Sequence, residues 1–130
     1  SDPPISDSIH IIEGWVKITL AGLIHGLNGS KGLMQSNFYT SNKEKKKIEL
    51  RIKALNPPEF KGKVMIIYTR YGSKLMDWDN MCSTAKFPFD GLKNNKVIVD
   101  DSPEYIVQFT PKQVKCRRKD QRTEIIITNI

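Results

Sequence analysis

Cysteine is scarce in this 130-residue chain. Cys82 and Cys116 are the only two, they form no C-x-x-C pair, and His10 and His25 lie far from both in sequence. Zinc centres take thiolates and imidazoles in close pairs, so a zinc site is not expected. Two cysteines make no secreted disulfide framework either, and a reducing cytosol follows as the expected compartment. Neither cysteine lies in a nucleophile motif, so both read as buried or idle thiols. Long apolar runs are also missing. Nothing approaches the ~20 residues that cross a bilayer, and no membrane partner is expected. The opening Ser1-Asp2-Pro3-Pro4 lacks a basic region followed by an apolar one and does not read as a signal peptide. Residues 1–10 read as a flexible terminus or a cloning scar, and 11–130 as one domain. Acids are the other shortage: 14 against 21 bases, a net charge of +7 and a pI near 9.5. Nucleic acid is the commonest partner of such a balance, and an anionic membrane the next.

What is present reads as alternating strands and helices. Ile11–Leu20 is rich in β-branched and aromatic residues and predicts a first strand. Residues 21–37 hold four of the eight glycines and predict a loop. Within it, Asn28-Gly29-Ser30-Lys31-Gly32 could cradle a phosphate through backbone N–H groups or be a simple turn. It lacks the spacing of a Walker A loop. Ser41-Asn42-Lys43-Glu44 has the pattern of a capping box, followed by Ile48, Ile52 and Leu55 at helical spacing. Lys43, Lys46, Lys47, Arg51 and Lys53 lie mostly off that stripe, as a phosphate-facing or merely solvated surface. The helix should stop before Asn56-Pro57-Pro58. Lys63–Tyr71 predicts a central strand, and Tyr105–Phe109 and Glu124–Thr128 two more. Between the last two, Lys112, Lys115, Arg117, Arg118, Lys119 and Arg122 read as a basic hairpin tip or loop. The order β, α, β, α, β, β predicts an α/β (α+β) domain with one mixed sheet of about four strands and two main helices.

Asp77–Asp101 stands apart from this basic background. It holds five acids against three bases, net −2, while the remaining 18 bases and nine acids net +9. Asp77 and Asp79 are two residues apart and would share one face at the end of a strand. Apolar Val97-Ile98-Val99 would deliver Asp100 and Asp101 at a second strand end. Carboxylates backed by the Asn80 amide suit a hard cation with oxygen ligands, magnesium above all, and bases around them suit a phosphate-rich substrate. The same residues also suit plainer roles, Asp-x-Asp-Asn as a turn or helix cap and Asp-Asp-Ser-Pro as a turn.

Asp77-Trp78-Asp79-Asn80, Lys86, Asp90-Gly91-Leu92 and Val99-Asp100-Asp101 together resemble the signature of the RusA-like Holliday junction resolvases. That family carries a D-x-D-N, a lysine, a D-x-L on the same helix and an Asp-Asp pair further on. More loosely, Phe38-Tyr39-Thr40-Ser41 resembles the family's entry into its first helix. The resemblance implies a metal-dependent endonuclease acting on branched DNA such as four-way junctions. Asp77, Asp79 and Asp101 would ligate Mg2+, with Mn2+ as a substitute, and Asn80 would orient them. Lys86 would steady the scissile phosphate or the attacking water, with Asp90 and Asp100 in support. Lys46, Lys47, Arg51, Lys112, Lys115, Arg117, Arg118 and Lys119 would meet DNA phosphates. It further implies a homodimer in the cytoplasm of a bacterial cell, encoded there or by a phage. Three departures stand out. The spacing from Asn80 to Lys86 is three residues longer than the family's, and the proline-rich loop after the first strand is replaced by Ala21–Gly26. Pro88 also falls within the second helix, which should kink or begin near Phe87 after an irregular entry. Two other functions remain open: a non-catalytic nucleic-acid-binding module whose acids are turns and caps, and a metal-dependent phosphohydrolase of small substrates.

Overall fold

The alternation of Val16, Ile18 and Leu20 with Trp15, Lys17 and Thr19 prepares a strand with one face for the core. The computed structural model, which describes residues 4–25 and 38–130, buries that first set completely or nearly so. Five strands form one mixed sheet: β1 Ser8–Ile12, β2 Trp15–Ala21, β3 Val64–Gly72, β4 Ile106–Lys115 and β5 Arg122–Asn129. They lie in the order β1-β2-β5-β3-β4. Only β3 and β4 run parallel; the other neighbours are antiparallel.

The expected first strand is in fact two. Glu13-Gly14 turns the chain between Ile12 and Trp15, which face each other across the hairpin. Gly14 has φ +88°, a conformation that glycine adopts without a Cβ penalty. Residues 8–10 therefore belong to the sheet rather than to a loose terminus, and they supply the fifth strand. Just before them, Asp7 accepts two hydrogen bonds from Arg51, Nε to Oδ2 at 2.8 Å and Nη2 to Oδ1 at 2.7 Å. The Ala21 N–H also donates to Asp7 Oδ1 at 2.8 Å, and Arg51 Nη2 donates to the Ala21 carbonyl at 2.8 Å.

The basic run between the last two strands is no hairpin tip. β4 extends to Lys115, so Lys112 and Lys115 are strand residues, and Arg122 opens β5. A 3-10 turn, Arg118–Asp120, links the two, and β3 lies between them in the sheet. Asn28–Gly32 lies outside the described residues.

Three helices cover one face of the sheet: α1 Phe38–Leu55, α2 Trp78–Ser83 and α3 Lys86–Asn94. α1 begins at Phe38, so Ser41 lies within the helix and is not its N-cap. Its expected stripe holds, with Ile48 and Ile52 buried and Leu55 packed against the core. The helix stops at Leu55 as expected, and Asn56 takes φ +50° beyond it. α2 and α3 together are the second main helix, broken into two pieces. Met81 and Leu92 from them join Ile66, Tyr68, Ile125 and Ile127 in the core. α1 and α3 approach closely at Gly91, where a Cβ would stand 2.9 Å from Ile52 Cδ1 and 3.4 Å from Glu49 Cα. Asn95 reinforces the contact by donating Nδ2 to the Glu49 carbonyl at 3.0 Å.

Val97–Val99 forms no strand. α3 ends in a Schellman motif: Lys96 has φ +62°, its N–H bonds the Lys93 carbonyl at 3.0 Å, and the Val97 N–H bonds the Leu92 carbonyl at 2.9 Å. Val97 and Leu92 supply the apolar contact that accompanies this cap, and both are fully buried. Val97 and Ile98 fill the core after the helix end, while Val99 is exposed.

The Asp7–Arg51 clamp ties β1 to α1 and yields a pH-dependent prediction. Arg51 hydrogen bonds, opposed by burial, hold the Asp7 carboxyl below its ordinary value of 3.8. A carboxyl with a lowered folded pKa contributes stability above its unfolded pKa and loses it as pH falls through the folded value. Asp7→Ala is expected to cost about 1–3 kcal/mol at pH 7. The gap to wild type should close below pH 3.8, as read by urea titrations across that range.

Candidate functional site

β3 runs into the acidic segment through Gly72–Met76, and Gln113 of β4 fixes the last residue of that passage. Its amide accepts from the Met76 N–H at 2.8 Å and donates to the Met76 carbonyl at 2.9 Å. Asp77 follows in the N-cap position of α2, with φ −58° and ψ 151°. Its side chain caps no N–H; instead Oδ2 accepts from Asn80 Nδ2 at 3.1 Å. Asp79 sits in the first helical turn, where the helix dipole favours a negative charge. Asp77 and Asp79 thus lie at a helix start, not at a strand end, and strand alternation does not put them on one face. Both are exposed, as is Trp78 between them. Of the three expected ligands, Asn80 is hydrogen-bonded to Asp77 alone.

α2 gives way to α3 at a buried elbow. Thr84 Oγ1 donates to the Met81 carbonyl at 2.6 Å, which uses its one proton. The Tyr68 hydroxyl, 2.9 Å away, must therefore be the donor to Thr84 Oγ1. α3 starts at Lys86, one residue before the expected start. Pro88 is the third residue of α3, within the first turn whose N–H groups have no partner inside a helix. Pro88 thus costs the helix no hydrogen bond.

Lys86 is exposed and donates Nζ to Asp90 Oδ1 at 3.3 Å, one turn along. Lys45 of α1 lies 3.6 Å from Asp90 Oδ2. Asp90 is buried, so it acts as the shared counter-charge that holds both lysines at the α1–α3 seam. Lys45 was not among the residues expected at the site; only the packing of the two helices reveals it. Asp100 and Asp101 lie in the segment after α3, each 3.9 Å from Lys93 Nζ. The Ser102 hydroxyl and the Asp101 N–H hold the Asp100 carboxyl below the usual range.

The aspartates and the single asparagine are oxygen donors that suit a hard cation by their chemistry. Their geometry is less complete. Among the described residues, no three His, Cys, Asp or Glu side chains gather as a group that could hold one metal ion. The expected triad of Asp77, Asp79 and Asp101 is not assembled as such a group.

The basic candidates divide. Lys47, Lys112, Lys115, Arg118 and Lys119 are exposed. Lys46 is exposed and pairs with Glu49 at 3.0 Å, and Arg117 with Asp120 at 2.7 Å. Arg51 bonds Asp7 and the Ala21 carbonyl, a role within the fold that its expected part in meeting DNA phosphates did not foresee.

No family model matches the sequence, and no curated protein matches it significantly. The site therefore has to be read from its own geometry.

The elbow offers a direct test. Burial pushes the Tyr68 hydroxyl pKa up to about 12, so its neutral form stabilises the fold below pH 10 and that contribution is lost as pH rises from 10 to about 12. Tyr68→Phe should cost about 1–2 kcal/mol at pH 7, because it removes the donor to Thr84. It should also flatten the alkaline arm of the stability profile, as read by denaturant melts between pH 8 and pH 12.

Proposed function

We propose that the chain is a DNA endonuclease that cuts branched DNA such as four-way junctions. The observation that carries this reading is the pairing of Lys86 with Asp90 across one turn of α3, set after an exposed Asp77-Trp78-Asp79-Asn80 helix start. It gives a held cation and exposed carboxylates on one short stretch of a basic chain. Lys86 would meet the scissile phosphate and offset charge that develops in the transition state. Asp90 would keep Lys86 extended along α3, and Asn80 would hold the Asp77 carboxylate in one orientation.

Magnesium, or manganese in its place, would supply an activated water and a polarised phosphodiester. Magnesium is commonly held by one or two carboxylates together with substrate phosphates, so the exposed Asp77 and Asp79 suit it. Asp101 is the third carboxylate of the pattern, and Asp100 stands beside it. A homodimer would make the two cuts that a symmetric junction requires, and a bacterial or phage setting in the cytoplasm fits such an enzyme.

A second reading has observations of its own. Asp77 occupies an N-cap position, Asp100 and Asp101 lie near Lys93, and no three-ligand group is formed among the described residues. In that reading the chain binds nucleic acid without cutting it.

One experiment separates them: nicking of a synthetic four-way junction in magnesium and in EDTA, beside a gel shift in EDTA. The endonuclease cuts only with metal. Asp79→Asn should fold and bind the junction in EDTA at least as tightly as wild type, since it removes a repelling charge, yet not cut. Lys86→Ala should slow cutting by about 10²-fold, the scale of a lost charge-stabilising donor, with little loss of binding. Junction binding without cutting under any divalent metal would favour the binding module.

A further inference from the structure

Two charged side chains are buried among the described residues, Asp90 and Arg70. Asp90 has two lysines. Arg70 has no carboxylate within ion-pair distance among the described residues, though it is only 9% exposed. Its single hydrogen bond runs from Nη1 to the Lys74 carbonyl at 3.3 Å, and its buried Nε has no partner. An arginine stays charged in a protein and carries five N–H donors. A buried charge with so few partners is costly unless something else completes it.

The surroundings show what would. Arg70 follows Tyr68 on the helix-covered face of β3, near the strand's C-terminal end, with Thr123 and Gln113 beside it in register. Gln113 is spent on Met76. Gly72 leaves the room in which the guanidinium lies: a Cβ there would stand 2.5 Å from Nη1 and 3.2 Å from Cζ. The acids at this end of the sheet are engaged elsewhere, Asp120 by Arg117 and Glu124 by Arg122. Lys74 and Lys115 are exposed around the same strand ends.

We infer that Arg70, cradled over Gly72 beneath the passage to Asp77, is an anion receptor for a phosphate-type oxyanion. The guanidinium fork matches two oxygens of such a group, and the absence of a nearby free carboxylate leaves the pairing to a ligand. The anion could be a free phosphate or a phosphate of the DNA backbone. Only the second rests on the endonuclease reading.

The test compares wild type with Arg70→Met, which keeps length and removes the charge, and with Arg70→Gln in case the first fails to fold. Thermal melts are run in inorganic phosphate, sulfate and chloride at matched ionic strength. The expected result is a saturating rise in wild-type Tm at millimolar phosphate and sulfate over chloride, beyond the general salting effect and absent in the variant. No such rise in wild type, or the same rise in the variant, overturns the inference. A salt titration of duplex and junction binding then identifies the source. Affinity reduced about tenfold in the variant, with a salt slope smaller by about one, assigns a backbone phosphate. Unchanged DNA binding beside a lost phosphate response assigns a free oxyanion. That result upholds the site whether or not the chain cuts DNA.

Discussion

The candidate segment hangs from one buried hydrogen bond. Tyr68 sits fully inside the core, its ring 6.1 Å from Phe89 and 6.2 Å from Phe109 by centroids, and its hydroxyl reaches Thr84 at the α2–α3 elbow. A phenol placed there without a partner would be expensive, so the elbow cannot drift from β3 without exposing or orphaning that group. The elbow in turn determines where α3 begins, hence where Lys86 and Asp90 lie. On the other side of the segment, the Gln113 amide holds both polar groups of the Met76 backbone, and Asp77 comes next. Two strands of the sheet thus hold the start of the acidic segment on either side of residues 77–83, where Asp77, Trp78 and Asp79 stay exposed.

The sheet and helices were legible where pattern and propensity agreed. Ile48, Ile52 and Leu55 marked the buried stripe of α1, and the β-branched runs marked β3 and β5. Errors arose where a local signal met a stronger tertiary one. Val97-Ile98-Val99 has strand composition, yet the left-handed Lys96 and the Schellman bonds turn it into the cap of α3. Glu13-Gly14 did carry a turn signal, but the apolar residues on both sides hid it within one long strand. β4 runs on through Pro111 to Lys115 because β3, parallel beside it, offers a ladder for its whole length. No single-sequence pattern could announce that partner. At the site, the aspartates and Lys86 were visible as residue types at suggestive spacing. Lys45, Gln113 and Arg70 were not, because their roles depend on α1, β3 and β4 being brought together.

The exposed bases also have a reading that owes nothing to DNA. β4 is an edge strand, and an open edge invites pairing with other chains. Pro111, Lys112 and Lys115 are the residue types that blunt such an edge, the proline by lacking an N–H and the lysines by charge. Lys112 and Lys115 thus need no ligand to explain them. Arg51 likewise has partners within the fold, with Nε and Nη2 bonded to Asp7 and the Ala21 carbonyl.

That contrast weighs the charges by what else accounts for them. Asp90 is buried with two lysines around it, so its own charge is balanced within the fold. Arg70 is buried with one long hydrogen bond, and no described side chain explains its charge. Asp77 and Asp79 are exposed at a helix start, where the dipole accounts for a modest preference but not for two carboxylates in a basic protein. The unexplained groups, Arg70 below and the two aspartates above, stand at opposite ends of the short passage Gly72–Met76. If Arg70 binds an anion and the aspartates a cation, as proposed above, a phosphate with its counter-ion would meet both requirements along this one passage.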